Sequence, residues 1–194
     1  MSTSPTAAIR SAPECTFVRV SALPGRPETA RQAASRAARA GELVPVRRGL
    51  YYRGKMTRYG MTPPRIEEVV REVLGSRGVG PTGYSAARAW GVTTQVPAKY
   101  EVATLHPSSP IVNVKQVHRS NLARIDLNEL EIALLELLRD PDIYVEAGWS
   151  NLVERVRQAS EAGEVRLAAM AAAVPGERNV SIRTNFQRLS TDLA

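Results

Sequence analysis

Cysteine, histidine and long apolar runs are scarce in this sequence, and each scarcity excludes a class of protein. Cys15 is the one cysteine among 194 residues, which rules out an internal disulfide and fits a reducing cytoplasm. His106 and His118 stand twelve residues apart without neighbouring cysteine or histidine ligands, so we expect no metal site. No run of about 18 apolar residues occurs, and residues 1–13 lack the apolar segment of a secretory signal. We therefore predict a cytoplasmic protein without a membrane partner.

Sequence patterns of common enzymes are also missing. We find no HExxH, GxSxG, Walker A or kinase catalytic-loop pattern, so no catalytic residue is identified and no cofactor is expected. Residues 78–83 fit GxGxxG, but a helix is predicted before them, and Pro81 removes one backbone N–H that a pyrophosphate needs. We interpret them as a glycine-rich turn between two helices. Glu129, Glu131 and Glu136 are predicted on the solvated face of a later helix.

Positive charge is concentrated at one end of the chain. Residues 1–58 contain eleven basic and three acidic residues, a net charge of +8, whereas the remaining residues contain fifteen basic and sixteen acidic ones. The overall charge of +7 is therefore local. A concentrated charge of this kind is typical of a polyanion-binding element, and the phosphate backbone of duplex DNA is the obvious partner.

A helix with one alanine face is predicted inside this basic segment. Thr29 and Gln32 fit a capping box, Pro27 and Glu28 suit a first turn if the helix begins earlier, and Gly41 ends it. Five alanines recur at helical spacing on one face, namely Ala30, Ala33, Ala34, Ala37 and Ala38. The opposite face is polar and basic, so it either reads DNA in the major groove or is a solvated surface.

The segment after this helix predicts a small hairpin with a basic turn. Residues 43–46 and 50–53 are β-prone and flank Arg47, Arg48 and Gly49. Tyr51 and Tyr52 are expected on opposite sides of the second strand, one toward the core and one toward solvent or nucleic acid. A helix followed directly by such a hairpin is the order of a winged helix-turn-helix, whose wing lies along the DNA.

We therefore predict a flexible tail over residues 1–14 and a winged helix-turn-helix DNA-binding domain over residues 15–58. The groove-facing residues are predicted to be Arg31, Gln32, Ser35 and Arg36. The phosphate-binding residues are predicted to be Arg26, Arg39, Arg47, Arg48 and Arg53.

The rest of the chain predicts a second domain over residues 64–194, after a hinge at 59–64. A helix from Pro64 is followed by two paired strands at 100–105 and 111–117, and then by four amphipathic helices. The fold class is therefore α+β, with a helical C-terminal part. Because this domain is nearly neutral, it suits protein contacts better than DNA, although it also fits a purely structural body.

Two segments resemble the AbiEi family of antitoxins. Residues 37–52 match its pattern of a helix ending in G-E-L/I followed by R-G-L/V-Y, and residues 81–99 match its P-S-G…L-G-L-S-T-Q-V-P-A segment. Thr82 stands where the family usually has serine, and residues 90–92 are Trp-Gly-Val instead of Leu-Gly-Leu. The resemblance covers about residues 15–140. It implies an antitoxin that neutralises a nucleotidyltransferase-like toxin and represses its own operon by binding inverted repeats in the operator.

Two other modes of action stay open. The resemblance also allows an atypical serine kinase that phosphorylates the toxin, which would need ATP and Mg²⁺, although no residue here matches a kinase motif. The third possibility is direct sequestration of the toxin, which is compatible with repression by DNA binding.

Overall fold

The computed structural model describes residues 4–194 and divides the chain into two compact units, Met1–Glu72 and Val73–Ala194. Both units combine helices with a small sheet, so the predicted α+β class is confirmed. Within residues 4–194, no helix combines the length and the apolar character needed to cross a membrane. The division falls between Glu72 and Val73, inside a helix, and not at the predicted hinge of residues 59–64.

The first unit consists of short elements in an alternating order. They are α1 Pro5–Ser11, β1 Thr16–Arg19, a 3-10 turn at Val20–Ala22, α2 Pro27–Arg39, β2 Val44–Arg47, β3 Leu50–Arg53, β4 Met56–Thr57, β5 Gly60–Met61 and α3 Ile66–Leu74, whose last two residues belong to the second unit. β1, β3 and β2 form an antiparallel sheet in that order, with β3 in the centre. β4 and β5 form a separate hairpin.

The predicted flexible tail is wrong for the residues that the structure describes, since α1 is a docked helix. Ser4 Oγ accepts the Ala7 N–H at 3.2 Å, and Pro5 suits the first helical position because its missing N–H has no partner there. Ile9 is only 2% exposed and joins the apolar cluster of this unit. A single apolar anchor in seven residues leaves no periodic pattern, which is why the sequence did not indicate it. Residues 1–3 of the predicted tail lie outside the described residues.

Helix α2 forms the centre of the first unit through its alanine face. Four of the five predicted alanines are buried and Ala38 is half-buried, so the backbone of α2 lies close to its neighbours. The helix begins at Pro27 rather than at the predicted Thr29 capping box. Gly41, at a φ of 75°, ends it as predicted: its N–H donates to Ala38 O and the Glu42 N–H donates to Ala37 O.

The predicted hinge at residues 59–64 contains part of an ordered hairpin. Met56 pairs with Met61 and Thr57 with Gly60, so Arg58 and Tyr59 form a two-residue turn. The sequence did not predict these strands because each has only two residues.

The second unit places a mixed three-stranded sheet beside a helical layer. Its strands β6 Val79–Pro81, β7 Tyr100–Thr104 and β8 Val114–His118 lie in that order, with β6 antiparallel and β8 parallel to β7. Its helices after α3 are α4 Gly83–Ala89, α5 Glu129–Leu137, α6 Pro141–Tyr144, α7 Trp149–Glu161, α8 Leu167–Ala173 and α9 Val180–Leu193. The two predicted strands and the four predicted C-terminal helices are confirmed, whereas β6 and α6 were not predicted.

Helix α5 is the buried axis of the second unit. Every residue from 131 to 138 is buried. The prediction that Glu131 and Glu136 lie on a solvated face is therefore wrong. Both carboxylates are buried against arginines from other segments, which a helical periodicity cannot reveal.

Candidate nucleic-acid interface

The outer face of α2 presents all of its predicted polar side chains on one surface. A shallow depression of about 390 Å³ is lined by Arg31, Gln32, Ser35, Arg36 and Arg39. Ser35 is half-buried and the other four are exposed. The buried alanines determine this arrangement, because they orient the opposite face of the helix toward solvent.

The β2–β3 hairpin carries the two arginines of the predicted wing at its tip. Arg47 and Arg48 are exposed, and Gly49 turns the chain at a φ of 77°, in the left-handed region that glycine adopts without strain. The ladder shifts register between Pro45 and Arg47, which places a local irregularity beside the tip. The predicted basic hairpin is therefore confirmed as a structural element.

A cleft of about 870 Å³ joins the helix to the hairpin. Its lining includes Arg31 and Ser35 from α2, Arg47 and Arg48 from the hairpin tip, and Tyr51 from β3. The structure thus brings residues of both predicted sets into one concave surface. Tyr52, on the other side of β3, is buried, with its ring centroid 5.1 Å from that of Phe17.

Most of the predicted arginines are free to meet a ligand. Within residues 4–194, no carboxylate lies within ion-pair distance of Arg26, Arg36, Arg39, Arg47 or Arg48. Arg31 lies 3.5 Å from Glu28, but both side chains are largely exposed, so this pair is weak.

The prediction that Arg53 binds a phosphate needs correction, because its side chain is bound within the first unit. Its guanidinium Nη1 donates to the carbonyl oxygens of Ile9, Arg10 and Ala12, at the C-terminal end of α1. The last carbonyls of a helix have no partner within the helix, and a cation favours that end of the dipole. Arg53 therefore attaches α1 to the sheet and is not available to a phosphate.

The division into two units sharpens the charge asymmetry seen in the sequence. The first unit contains thirteen basic and six acidic residues, a net charge of +7, whereas the second contains thirteen of each. The whole excess of positive charge thus belongs to the unit that carries the cleft and the depression. A polyanion would be attracted to the first unit specifically.

The glycine-rich segment at residues 78–83 is closed by packing. It contains the strand β6 instead of the predicted turn, because its small residues fit beneath other side chains. A Cβ on Gly80 would lie 2.7 Å from Ile132 Cβ, and one on Gly83 would overlap the Glu101 carboxylate. Glu101 Oε2 also accepts the Tyr84 N–H at 3.1 Å, so a negative charge already occupies the start of α4. These contacts leave no room for a phosphate.

A buried ion network lies in the second unit. Glu136 accepts hydrogen bonds from Thr82 at 2.7 Å, from Arg119 at 2.9 and 2.6 Å and from Arg124 at 2.5 Å. Arg124 also donates to both carboxylate oxygens of Glu177, at 2.6 and 2.9 Å. Burial alone would raise the pKa of Glu136, but the hydrogen bonds and charges of Arg119 and Arg124 outweigh it and lower this pKa to about 2. These charges are paired internally, so the network belongs to the fold and not to a site for an outside ligand.

The two histidines are surface residues of the second unit. His106 and His118 are both exposed, and His118 Nε2 lies 3.0 Å from the Leu105 carbonyl oxygen. In the part of the chain that the structure describes, no three His, Cys, Asp or Glu side chains come together in a way that could hold a metal ion.

Comparison with known proteins supports the fold. No family model and no curated protein matches the sequence. The crystal structure of the RV2827C protein from Mycobacterium tuberculosis is similar, with a TM-score of 0.54 and 15% sequence identity, over 98% of this chain and 75% of that chain. At this level of identity, the similarity shows a shared fold and nothing about function.

Proposed function

We propose that the protein binds duplex DNA through its first unit, which acts as a winged helix-turn-helix domain. The single observation that carries this proposal is the cleft between α2 and the β2–β3 hairpin, where exposed arginines from both elements line one concave surface. The order of helix, strand, turn, helix and hairpin in the first unit supports this proposal.

Helix α2 is the element proposed to enter the major groove. Its thirteen residues span about 20 Å, and the groove, about 12 Å wide, admits one helix. Arg31, Gln32, Ser35 and Arg36 would then face the base edges. Arg26 and Arg39 at the helix ends and Arg47 and Arg48 at the hairpin tip would bind phosphates on either side.

We further propose that this binding represses the operon of a toxin–antitoxin pair, at an operator with inverted repeats. The resemblance of residues 37–52 and 81–99 to AbiEi antitoxins supports this role. Neutralisation of a nucleotidyltransferase-like toxin would then fall to the second unit, whose zero net charge suits a protein partner.

The DNA-binding proposal is tested with Arg47→Ala/Arg48→Ala in the full chain. The probe is a labelled duplex from the region upstream of the gene, and its affinity is measured across a salt series. Removal of two phosphate contacts lowers the slope of log affinity against log salt by about 1.8 and weakens binding by at least about tenfold. The matched control is Arg88→Ala/Arg178→Ala, which removes two exposed arginines from the second unit. An unchanged slope in the hairpin variant would refute the wing assignment.

The mode of toxin neutralisation is tested separately, with the purified product of the adjacent gene. Co-elution of the two proteins without ATP supports sequestration. Transfer of label from γ-labelled ATP to the toxin in the presence of Mg²⁺ would instead establish the kinase alternative.

A further inference from the structure

The β4–β5 hairpin, residues 55–62, is an ordered and largely exposed element of the first unit that the predicted DNA-binding set leaves out. We propose that it is a second DNA-binding element, which contacts the duplex beside the segment bound by α2 through Lys55, Arg58 and Tyr59. This inference rests on the proposed function and extends the DNA surface beyond the predicted helix and wing.

Hydrogen bonds hold the hairpin in one conformation. The Thr62 N–H donates to Lys55 O, and the Lys55 N–H donates to Thr62 Oγ1, both at 2.9 Å. At the turn, Thr57 Oγ1 donates to Gly60 O at 2.8 Å and accepts the Tyr59 N–H at 3.2 Å. At the base, a Cβ on Gly54 would overlap the Thr62 carbonyl, so the two chain segments approach each other closely. The tip is therefore preorganised, which lowers the entropy cost of binding.

The tip presents an aromatic ring and a cation to solvent. Tyr59 is 85% exposed, whereas the other aromatic residues of the first unit, Phe17, Tyr51 and Tyr52, are at least half-buried. The guanidinium carbon of Arg58 lies 4.6 Å from the centroid of the Tyr59 ring and supports its orientation. A tyrosine in this position has no packing role. It can donate its hydroxyl to a phosphate or place its ring against a sugar or base.

The charge around the hairpin favours DNA over a protein partner. Residues 43–66 contain six basic residues and no acidic ones. Arg53 among them is occupied by the carbonyls of α1. Of the other five, Arg47 and Arg48 lie at the tip of the β2–β3 hairpin, Arg58 lies at the tip of the β4–β5 hairpin and Lys55 at its base, and Arg65 follows it. Met56 is also 58% exposed, and a protein partner could bury this side chain. One exposed methionine surrounded by positive charges nevertheless favours a polyanion as the partner.

The length of the chain keeps both tips within reach of one DNA segment. Nine peptide steps separate Gly49 at the first tip from Arg58 at the second, and fully extended they span at most about 32 Å. One turn of B-DNA is about 34 Å long. A duplex that contacts both tips therefore needs no more than about one helical turn to do so.

The test uses the full chain with Arg58→Ala/Tyr59→Ala. Affinity for the upstream duplex and for a random duplex of equal length is measured across a salt series, and hydroxyl-radical footprinting maps the protected sugars. We expect binding about fivefold to twentyfold weaker, a salt slope lower by about 0.9, and lost protection at one flank while central protection persists. The matched control, Thr6→Ala/Arg10→Ala, changes a neutral and a basic exposed residue on α1 and leaves the footprint unchanged. A thermal melt verifies that both variants are folded.

The outcomes separate this inference from the proposed function. If the wild-type protein binds neither duplex, the proposed function fails. If the wild-type binds and Arg47→Ala/Arg48→Ala weakens it, but the β4–β5 variant keeps its affinity, slope and footprint, the hairpin inference alone is overturned. It is equally overturned if the variant binds DNA normally but no longer co-elutes with the product of the adjacent gene, because the hairpin would then be a protein-docking element.

Discussion

The two units of this protein contain the same number of basic residues but very different numbers of acidic residues to pair with them. Each has thirteen, but the first unit has six acidic residues and the second has thirteen. In the first unit, Arg47 and Arg48 are exposed on the β2–β3 hairpin, and among residues 4–194 no carboxylate lies within ion-pair distance of either. In the second unit, Arg124 is 1% exposed and lies between Glu136 and Glu177. A basic residue therefore indicates a ligand only where its carboxylate partners are missing.

Burial explains why the two uses are exclusive. A buried cation loses its hydration, so it needs several charged hydrogen-bond partners to compensate for that loss. Arg124 has those partners, and its hydrogen bonds to them leave it unavailable to an outside ligand. An exposed arginine keeps its hydration and exchanges it for phosphate contacts when counterions are released.

The largest effect is expected from Arg124→Ala. This variant leaves Glu136 and Glu177 buried without their shared partner, so we expect the free energy of unfolding of the second unit to fall by about 3–5 kcal/mol. Urea denaturation followed by tryptophan fluorescence measures it, because Trp90 and Trp149 both lie in the second unit. Arg77→Ala, which breaks an exposed pair with Asp126 in the same unit, is the control and should cost less than about 1 kcal/mol. Equal losses in the two variants would contradict the prediction.

A somewhat smaller effect is expected from acid. The pKa of Glu136 is about 2 in the folded chain and 4.5 in a free carboxyl. The lowered pKa means that its stabilisation is fully present above pH 4.5 and is lost as the pH falls toward 2. This contribution of Glu136 to the free energy of unfolding is about 3 kcal/mol. Tryptophan-detected urea denaturation between pH 6 and 2 measures this loss.

Glu136→Gln is the comparison for the acid experiment. Because glutamine does not titrate, the variant should be less stable than the wild-type at pH 6 and should lose less stability on acidification. A variant whose stability falls with pH as steeply as that of the wild-type would show that other carboxylates control the acid response.

The smallest effect is expected from Arg53→Ala in the first unit. Loss of its hydrogen bonds to the α1 carbonyls should lower the free energy of unfolding of this unit by about 1–3 kcal/mol. It should leave the salt slope of DNA binding unchanged, in contrast to Arg47→Ala/Arg48→Ala. Hydrogen exchange of the α1 amides measures the stability, and the duplex titration measures the slope. A lower slope would restore Arg53 to the phosphate set.

Much of the first unit could be predicted because its signals are local. The alanine face of α2, the glycine at its end and the basic turn after Val46 each occupy a few consecutive residues, and all three are present in the structure. Helix α1 was missed because seven residues with one apolar anchor carry no periodicity. The β4–β5 hairpin was missed because its strands are too short for a pattern to repeat.

Local chemistry thus determined where the helices and strands form and which end of the chain carries the charge, since capping, periodicity and composition act over a few neighbouring residues. The roles of individual charged residues depended on the three-dimensional packing. Arg53 binds Ile9, which is 44 positions away in the sequence, and Arg124 binds Glu177, which is 53 positions away. No sequence pattern within one helix or strand predicts such contacts. Whether an arginine binds an outside ligand or its own fold is therefore a property of the folded molecule, because burial and the distance to a partner set its free energy.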